Sequence, residues 1–305
     1  METQHSRHRI SFVTGINDNF FLLACQLMHS LERYFPRVPF YVMDFGLSEG
    51  PKEFFRRRGM LLAMPHGLDR HAHPYTFKSA MGSLFSQKIG IPVWLDADIL
   101  AVRDGTQALQ LAADAMLQRA ARFAVAAADA GDLSLARFCL DYSAPRLAQF
   151  LAQHPEIADR TYVNVGVLMF RQADRLDDWR ELSGRFEGDM CWEQNALNVL
   201  GHTGPAGMDI LEPRVWNVHG ILHDALESRE DGLYCDGMPC IFLHATSSFA
   251  RHVEQGQVDF AFGRYTYPNY FKFFVHPGLR RQQGDFLNEF SSLHVDEMHE
   301  LGMLS

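Results

Sequence analysis

The sequence predicts an α/β protein with a mixed, mostly parallel central sheet flanked by helices. In its first half, short apolar runs alternate with longer stretches whose apolar residues recur every three or four positions, the order of strands and helices in such folds. Its 305 residues, 47% apolar and 21% charged, are enough to bury one large core. We therefore expect a single domain over residues 9–252, followed by a helical C-terminal extension over residues 253–305.

Each element of this fold is predicted by its own local pattern. Short apolar runs bounded by turn residues predict strands at 10–14, 38–43, 60–63, 91–95, 122–127, 162–170 and 239–244. Longer stretches with helical periodicity predict helices at 19–34, 48–58, 75–86, 105–119, 175–186, 192–200 and 285–301. No internal repeat interrupts this order, which supports one domain.

Composition and charge exclude several classes of protein. The 28 Lys and Arg residues against 37 Asp and Glu give a net charge of −9, which disfavours a nucleic-acid binder. The five cysteines are scattered, which indicates reduced thiols rather than a disulfide framework or a zinc site. No apolar run approaches the roughly 18 residues of a membrane-spanning helix. We therefore expect a cytoplasmic protein that is neither secreted nor integral to a membrane.

The strongest local signal is a pair of carboxylates, Asp96 and Asp98, directly after an apolar strand. Carboxylates two positions apart in extended backbone point to the same side, and they repel each other unless a cation lies between them. A hard divalent cation such as Mn²⁺ or Mg²⁺ fits such oxygen ligands, and His244 at the end of another apolar strand would add an imidazole. A solvated acidic turn and a structural histidine are the alternatives. Asp44 and Asp129 also end strands, where ligands bind in such sheets.

Further short motifs occur in a definite order around this carboxylate pair. They are Thr14-Gly15-Ile16-Asn17-Asp18-Asn19-Phe20, Asp44-Phe45-Gly46-Leu47-Ser48, Asn164-Val165-Gly166, Trp192-Glu193-Gln194-Asn195-Ala196-Leu197-Asn198 and Trp216-Asn217. With these motifs, the sequence resembles the family 8 glycosyltransferases, a retaining group that includes glycogenin and bacterial lipopolysaccharide galactosyl- and glucosyltransferases. The resemblance runs from about residue 10 to about residue 251.

The resemblance implies a GT-A fold that moves a hexose from a nucleotide sugar, usually UDP-linked, to a glycan, lipid-linked or protein acceptor, as in lipopolysaccharide biosynthesis. It implies Mn²⁺ or Mg²⁺ held by Asp96, Asp98 and His244. The donor-binding residues that it implies are Val13, Thr14, Gly15, Asn17, Asp18, Asn19, Lys78, Asp96, Ala97, Asn164, Gly166 and Arg251. For Lys78 the alternative is a surface lysine, and for Gly166 it is close packing inside a strand.

The same resemblance implies the catalytic residues. Glu193 and Gln194 match a pair that in this family faces the anomeric carbon, and Asp129 matches a contact to sugar hydroxyls. A solvated helix face and a plain turn are the alternatives. Glu193 and Asn195 stand where the family usually has aspartate, and Arg251 lies near where it has a Lys-Pro-Trp phosphate clamp. A nucleotide-sugar-binding protein without transfer activity is therefore the alternative function.

The C-terminal segment is dense in aromatic side chains. They lie close to basic residues and are Tyr265, Tyr267, Tyr270, Phe271, Phe273 and Phe274, beside Lys272, Arg280 and Arg281. Amphipathic segments of this kind can rest on a bilayer, which would suit a peripheral contact at the cytoplasmic face of a membrane. Packing of the rings onto the protein's own domain is the alternative that the rarity of large exposed apolar patches favours.

Overall fold

The computed structural model describes residues 9–63, 73–81, 89–128, 131–171, 176–204, 207–246 and 251–304. Its strands are β1 (Ile10–Ile16), β2 (Phe40–Asp44), β3 (Leu61–Leu62), β4 (Ile91–Leu95), β5 (Ile99–Ala101), β6 (Phe123–Ala127), β7 (Val163–Phe170), β8 (Met208–Leu211), β9 (Leu226–Arg229), β10 (Gly232–Cys235), β11 (Met238–Pro239), β12 (Phe242–His244), β13 (Val253–Phe262) and β14 (Tyr265–Phe274). Its helices are α1 (Phe21–Tyr34), α2 (Glu49–Arg57), α3 (Pro74–Ser79), α4 (Thr106–Gln118), α5 (Leu135–Asp141), α6 (Pro145–Gln153), α7 (Asp177–Phe186), α8 (Trp192–Thr203), α9 (Pro213–Trp216) and α10 (Pro277–Glu300).

A seven-stranded sheet in the order β3-β2-β1-β4-β7-β6-β8 forms the centre of the molecule. The pairs β1–β2, β2–β3, β1–β4 and β6–β8 are parallel. Strand β7 is antiparallel to both of its neighbours, β4 and β6. The prediction of a mixed, mostly parallel sheet flanked by helices is therefore confirmed. Because β7 runs the other way, its amino end meets the carboxyl ends of β1 and β4 at one edge of the sheet.

The core lies on both faces of this sheet. Successive residues of β1 point to opposite faces, so Phe12 belongs to one buried cluster and Val13 to another. The Phe12 cluster contains the apolar sides of α1, α2, α4 and α10, whereas the Val13 cluster packs against helices α5 to α8. Burial on both faces explains why strands such as β4 and β6 are continuous apolar runs rather than alternating ones.

The C-terminal segment is a long β-hairpin, β13–β14, followed by α10. The predicted helix at 285–301 is observed as the later part of α10, whereas the hairpin was not predicted. Tyr267 and Phe271 belong to the same buried cluster as Phe21 of α1, and Phe274 is fully buried. Tyr270 and the remaining rings, Tyr265 and Phe273, pack against that cluster. The aromatic side chains thus pack on the protein's own domain, the alternative given above.

Some sequence expectations lie partly or wholly outside the described residues, among them the first residue of the helix predicted over 175–186. The helix predicted over 75–86 is observed as α3, Pro74–Ser79, and residues 82–88 are not described. Asp129 also falls outside the described residues. Among the helices of the described ranges, none is both long enough and apolar enough to cross a membrane.

We expect Phe271→Ala to lower the free energy of unfolding by about 3–5 kcal/mol, because the truncation leaves a cavity in the main core. Urea denaturation monitored by circular dichroism measures the change. Leu293→Ala is the control, since Leu293 on α10 is 66% exposed and its truncation should change stability by about 0.5 kcal/mol or less. An unchanged midpoint for Phe271→Ala would mean that the hairpin does not share the core of the main domain.

Candidate active site

A cleft of about 340 Å³ lies at the sheet edge where β1 and β4 end and β7 begins. Its position is the one where open α/β sheets bind ligands. The sequence-predicted residues that line it are Gly15, Asn17, Lys78, Asp96, Ala97, Asp98, Asn164, Glu193, Gln194 and His244. The cleft thus brings together residues from distant parts of the chain.

The carboxylate pair is held in a tight turn between β4 and β5. The amide N–H of Asp96 donates to Gly166 O of β7, and the amide N–H of Ile99 donates back to Asp96 O. Strand β5 then pairs antiparallel with β12, in a register that places His244 opposite Ile99. The amide N–H of Ala245 donates to Asp98 O, which closes the turn onto β12. This backbone pairing brings the histidine beside the two aspartates.

Three ligand atoms converge in this turn. His244 Nε2 lies 3.2 Å from Asp98 Oδ1 and 3.7 Å from Asp96 Oδ2, and one ligand atom from each residue lies within 4.8 Å of the others. The other oxygen of each carboxylate has a lysine: Lys78 Nζ lies 2.7 Å from Asp96 Oδ1, and Lys272 Nζ lies 2.5 Å from Asp98 Oδ2. Two carboxylate oxygens and one imidazole nitrogen form a donor set that fits Mn²⁺ or Mg²⁺.

A chain of hydrogen bonds fixes the tautomer of His244. The amide N–H of Gly166 donates to Asn164 Oδ1, which identifies that atom as the oxygen, and Asn217 Nδ2 donates to the same atom, each at 2.9 Å. The oxygen of the Asn217 amide therefore faces His244 Nδ1, at 3.0 Å. An acceptor there requires Nδ1 to carry the proton, so in the neutral imidazole Nε2 directs its lone pair toward the carboxylates. Such outer partners orient metal-binding histidines.

Gly166 gives room for this imidazole. A Cβ atom at this position would lie 2.4 Å from Cε1 of His244, far inside van der Waals contact. The family resemblance implies that this glycine lies under a donor sugar. In the structure it packs against the imidazole of His244, in line with the close-packing alternative, and it is not among the described residues that line the cleft.

The paired charges next to the turn shift two pKa values. Burial alone would raise the pKa of Asp98, but Lys272 and His244 outweigh it and hold that pKa well below its usual range. Burial lowers the pKa of Lys272, and Asp98 more than compensates, so the pKa of Lys272 is raised. Both side chains are therefore charged at neutral pH.

Glu193 lies in the first turn of α8, on the wall of the cleft. Burial raises its pKa to about 7, with Lys78 opposing the shift and Asp96 adding to it. Its Oε2 has no hydrogen-bond partner among the described residues. A buried carboxyl group with a pKa near neutrality and an unpaired oxygen in a cleft is a candidate for contact with substrate.

Gln194 is held by β7 through both ends of its amide. Its Oε1 accepts from the amide N–H of Val165 at 3.1 Å, and its Nε2 donates to the hydroxyl of Tyr162 at 3.1 Å. Tyr162 in turn donates to Asn195 Oδ1, and Asn195 Nδ2 donates to Met190 O. An aspartate at position 195 would lack the N–H that donates to Met190 O. This hydrogen bond is a structural reason for an asparagine where the resemblance implies an aspartate. Asn195 itself is fully buried and does not line the cleft.

The predicted nucleotide turn lies on the opposite wall. A Cβ on Gly15 would lie 2.3 Å from the ring of Phe45, so only glycine fits beside that ring. Asn17 caps the short helix Asp18–Phe20, and Asp18 Oδ1 accepts from the amide N–H of Ser48. The other predicted members of this turn do not line the described cleft: Val13 and Thr14 are buried in β1, and Asp18 and Asn19 lie outside the lining.

One predicted donor-binding residue points elsewhere. Arg251 is exposed, and its guanidinium donates to Asp224 Oδ2 at 2.5 Å. It is not among the described residues that line the cleft.

Sequence reasoning missed two residues of the site. The sequence pattern places Lys272 only among the basic residues of the aromatic segment, and Asn217 only within the Trp216-Asn217 motif. A lysine between Phe271 and Phe273 is a weak signal of burial, because rings occupy neighbouring positions of the strand. Asn217 stands next to Trp216 in the sequence, and that position alone indicates no function for it.

The fold is similar to those of solved glycosyltransferase structures. No protein-family model and no curated protein matches the chain. The galactosyltransferase LgtC, solved in complex with donor and acceptor sugar analogues, matches with a TM-score of 0.55 and 16% identity over 92% of this chain and 95% of LgtC. The glycosyltransferase GlyE of Streptococcus pneumoniae matches with a TM-score of 0.54 and 14% identity over 97% of this chain and 64% of GlyE. Mouse xyloside xylosyltransferase 1 matches with a TM-score of 0.52 and 13% identity over 78% of this chain and 98% of that chain. At these identities the similarity shows a GT-A type fold.

We expect Glu193→Gln to change how stability depends on pH. A folded-state pKa of about 7, against the ordinary glutamate value of 4.5, means that the native protein binds the proton more tightly than the unfolded chain. The contribution of protonated Glu193 to stability is therefore fully present below the unfolded-state pKa and is lost as the pH rises through about 7. Relative to the variant, the wild type should lose about 2 kcal/mol between pH 5 and pH 8.

Urea denaturation of both proteins in EDTA at several pH values measures this difference. Glu187→Gln is the matched control, because Glu187 is exposed and should give parallel curves. Parallel curves for Glu193→Gln as well would contradict the raised pKa.

Proposed function

We propose that the protein is a retaining glycosyltransferase that moves a hexose from a UDP-sugar to an acceptor hydroxyl, with a divalent cation held by Asp96, Asp98 and His244. The observation that carries the proposal is the division of the carboxylate oxygens. One oxygen of each aspartate is taken by a lysine, and the other faces His244 Nε2 in a cleft at the ligand-binding edge of the sheet. The GT-A type fold supports the same reading.

The donor set favours Mn²⁺ over Mg²⁺. Imidazole is a better ligand for Mn²⁺ than for Mg²⁺, which prefers oxygen and retains its waters. When bound, the cation would act as a Lewis acid on the leaving diphosphate. Lys78 would stabilise the same developing charge, because its ammonium has three N–H donors and Asp96 accepts from one of them.

Polar groups on the α8 side of the cleft suit the sugar. The transition state of glycosyl transfer carries positive charge at the anomeric carbon, which amide or carboxylate oxygens stabilise. Gln194 Oε1 has a second lone pair beyond the one bonded to Val165, and Glu193 has an unpaired oxygen. We infer that these two residues, with Asn164, contact the donor sugar.

Retention follows if the acceptor attacks from the face that the diphosphate leaves. The bond between the anomeric carbon and the phosphate oxygen breaks, the bond to the acceptor oxygen forms, and the proton of the acceptor hydroxyl passes to a diphosphate oxygen. This route needs no protein nucleophile. The acceptor class (glycan, lipid-linked or protein), the link to lipopolysaccharide biosynthesis, a cytoplasmic location and a peripheral membrane contact stay predictions from the sequence.

We expect UDP to bind the wild type with Mn²⁺ and to lose most of its affinity without it, because the diphosphate and the cation neutralise each other's charge in the cleft. Asp98→Asn should abolish the Mn²⁺-dependent binding. Isothermal titration calorimetry measures both effects. Asp141→Asn, an exposed substitution on α5 that removes the same charge, should bind as the wild type does.

A panel of UDP-sugars scored for slow hydrolysis would then identify the donor. Absence of UDP binding with or without Mn²⁺ would refute the proposal. Binding without any hydrolysis or transfer would favour the alternative of a nucleotide-sugar-binding protein.

We expect Asn217→Ala to weaken Mn²⁺ binding about 10–100-fold, because His244 loses the acceptor that fixes its tautomer and ring orientation. Electron paramagnetic resonance of free Mn²⁺ measures the affinity. Asn217→Asp keeps an acceptor oxygen for Nδ1 and should lose less. Equal Mn²⁺ affinity in Asn217→Ala and wild type would show that the ring is positioned without Asn217.

A further inference from the structure

Lys272 reaches the cleft from the C-terminal hairpin. It lies in β14, is 9% exposed and lines the same cleft as Lys78. Its ammonium donates to Asp98 Oδ2 at 2.5 Å. The segment that the sequence analysis treated as an extension therefore supplies a charged group to the centre of the candidate site.

The backbone at Lys272 is fixed from both sides. Gln283 of α10 is fully buried, and its Nε2 donates to Lys272 O at 2.9 Å and to Gln26 Oε1 of α1 at 3.0 Å. Its Oε1 accepts from the amide N–H of Phe274 at 2.8 Å. All hydrogen-bonding ends of this buried amide are thus used to hold β14 against α1 and α10. Such a frame fixes the backbone from which the Lys272 side chain reaches the cleft.

A second anchor joins the hairpin to the predicted nucleotide turn. Asn269 Nδ2 donates to Asp18 O at 2.8 Å, and Asn269 Oδ1 accepts from the amide N–H of Leu22 at 3.3 Å. The strand that carries Lys272 is therefore hydrogen-bonded directly to the turn that begins α1.

The charges of the cleft leave room for an anion. Asp96 and Asp98 are each balanced by one lysine, Lys78 and Lys272. A divalent cation at the three ligand atoms would bring two positive charges, and among the described residues that line the cleft the one other carboxyl group is that of Glu193, which is only partly ionised at its pKa of about 7. Each ammonium has three N–H donors and gives one to its aspartate in the contacts above. A nucleoside diphosphate supplies both the missing negative charge and the acceptor oxygens.

We propose that Lys272 binds the diphosphate of the donor from the Asp98 side, as Lys78 does from the Asp96 side. This inference rests on the proposed function. It gives the phosphate-clamping role to the hairpin rather than to Arg251, whose guanidinium is exposed and engaged with Asp224. Lys272 is then a donor-binding residue and also the counter-ion of a metal ligand.

Titration of Mn²⁺ alone, followed by uridine, UMP and UDP at Mn²⁺ concentrations that saturate each variant, separates these two roles. In Lys272→Gln, UDP affinity should fall at least about tenfold, because a charge-assisted hydrogen bond to phosphate is lost. UMP affinity should fall less, and uridine affinity should stay unchanged. Lys272→Arg keeps the charge and should retain the preference for UDP. Lys52→Gln, which removes a lysine paired with Asp44 outside the cleft lining, is the matched control.

The outcomes are distinct. Failure of the wild type to bind UDP would refute the proposed function and this inference with it. Where the wild type binds UDP, equal losses for uridine, UMP and UDP in Lys272→Gln, or a UDP loss that disappears at saturating Mn²⁺, would overturn the inference alone, because the lysine would then serve only Asp98 and its metal. Loss of UDP preference in Arg251→Gln but not in Lys272→Gln would overturn it too.

Lys272→Gln leaves Asp98 buried without its ammonium, so thermal unfolding is measured for every variant. Where Lys272→Gln does not fold, the wild type labelled with ¹⁵N-lysine gives the test. The Nζ resonance of Lys272, assigned through Lys272→Arg, should shift on addition of UDP and not of uridine. An unshifted resonance would overturn the inference.

Discussion

The pairing of β5 with β12 is the constraint on which the candidate site depends. It places His244 opposite Ile99, and Ile99 is the residue that follows the turn with Asp96 and Asp98. The three side chains alone would not bring two carboxylates and an imidazole together in a partly buried cleft, because repulsion between the like charges and the cost of desolvation oppose it. The free energy that holds them together comes from the backbone ladder and the apolar cores on either side, in which Ile99 is fully buried. The backbone pairing and the apolar cores therefore determine where these charged side chains lie.

The two lysines lower the electrostatic cost of placing these carboxylates together, and they also orient them. An aspartate whose two oxygens were both free would rotate about its terminal torsion, because that torsion has a broad preference. Lys78 and Trp94 together bind Asp96 Oδ1, and Lys272 binds Asp98 Oδ2, so each carboxylate presents one defined oxygen toward His244. Pairing each buried charge reduces the cost of burial and preorganises the ligand atoms in one step.

The parts of the molecule that could be predicted from sequence are those with a strong local period. Strands such as β4 and β6 are continuous apolar runs because both faces of the sheet are covered, and the carboxylate pair follows from its place after β4. The hairpin was missed because its rings lie on both faces of β14, so the alternation that marks a strand is absent. Lys272 was missed for the same reason, and the Asn164–Asn217–His244 chain was missed because its residues meet only in three dimensions.

The packing of the hairpin also bears on the predicted membrane contact. Tyr267, Phe271 and Phe274 are buried in the protein, so these rings would reach a bilayer only if the hairpin left the core. The same strand carries Lys272, whose ammonium would then leave Asp98 exposed as an unpaired carboxylate beside Asp96. Withdrawal of the hairpin therefore costs both buried apolar area and the charge balance of the cleft. Membrane insertion of these rings and the observed packing of the cleft therefore exclude each other.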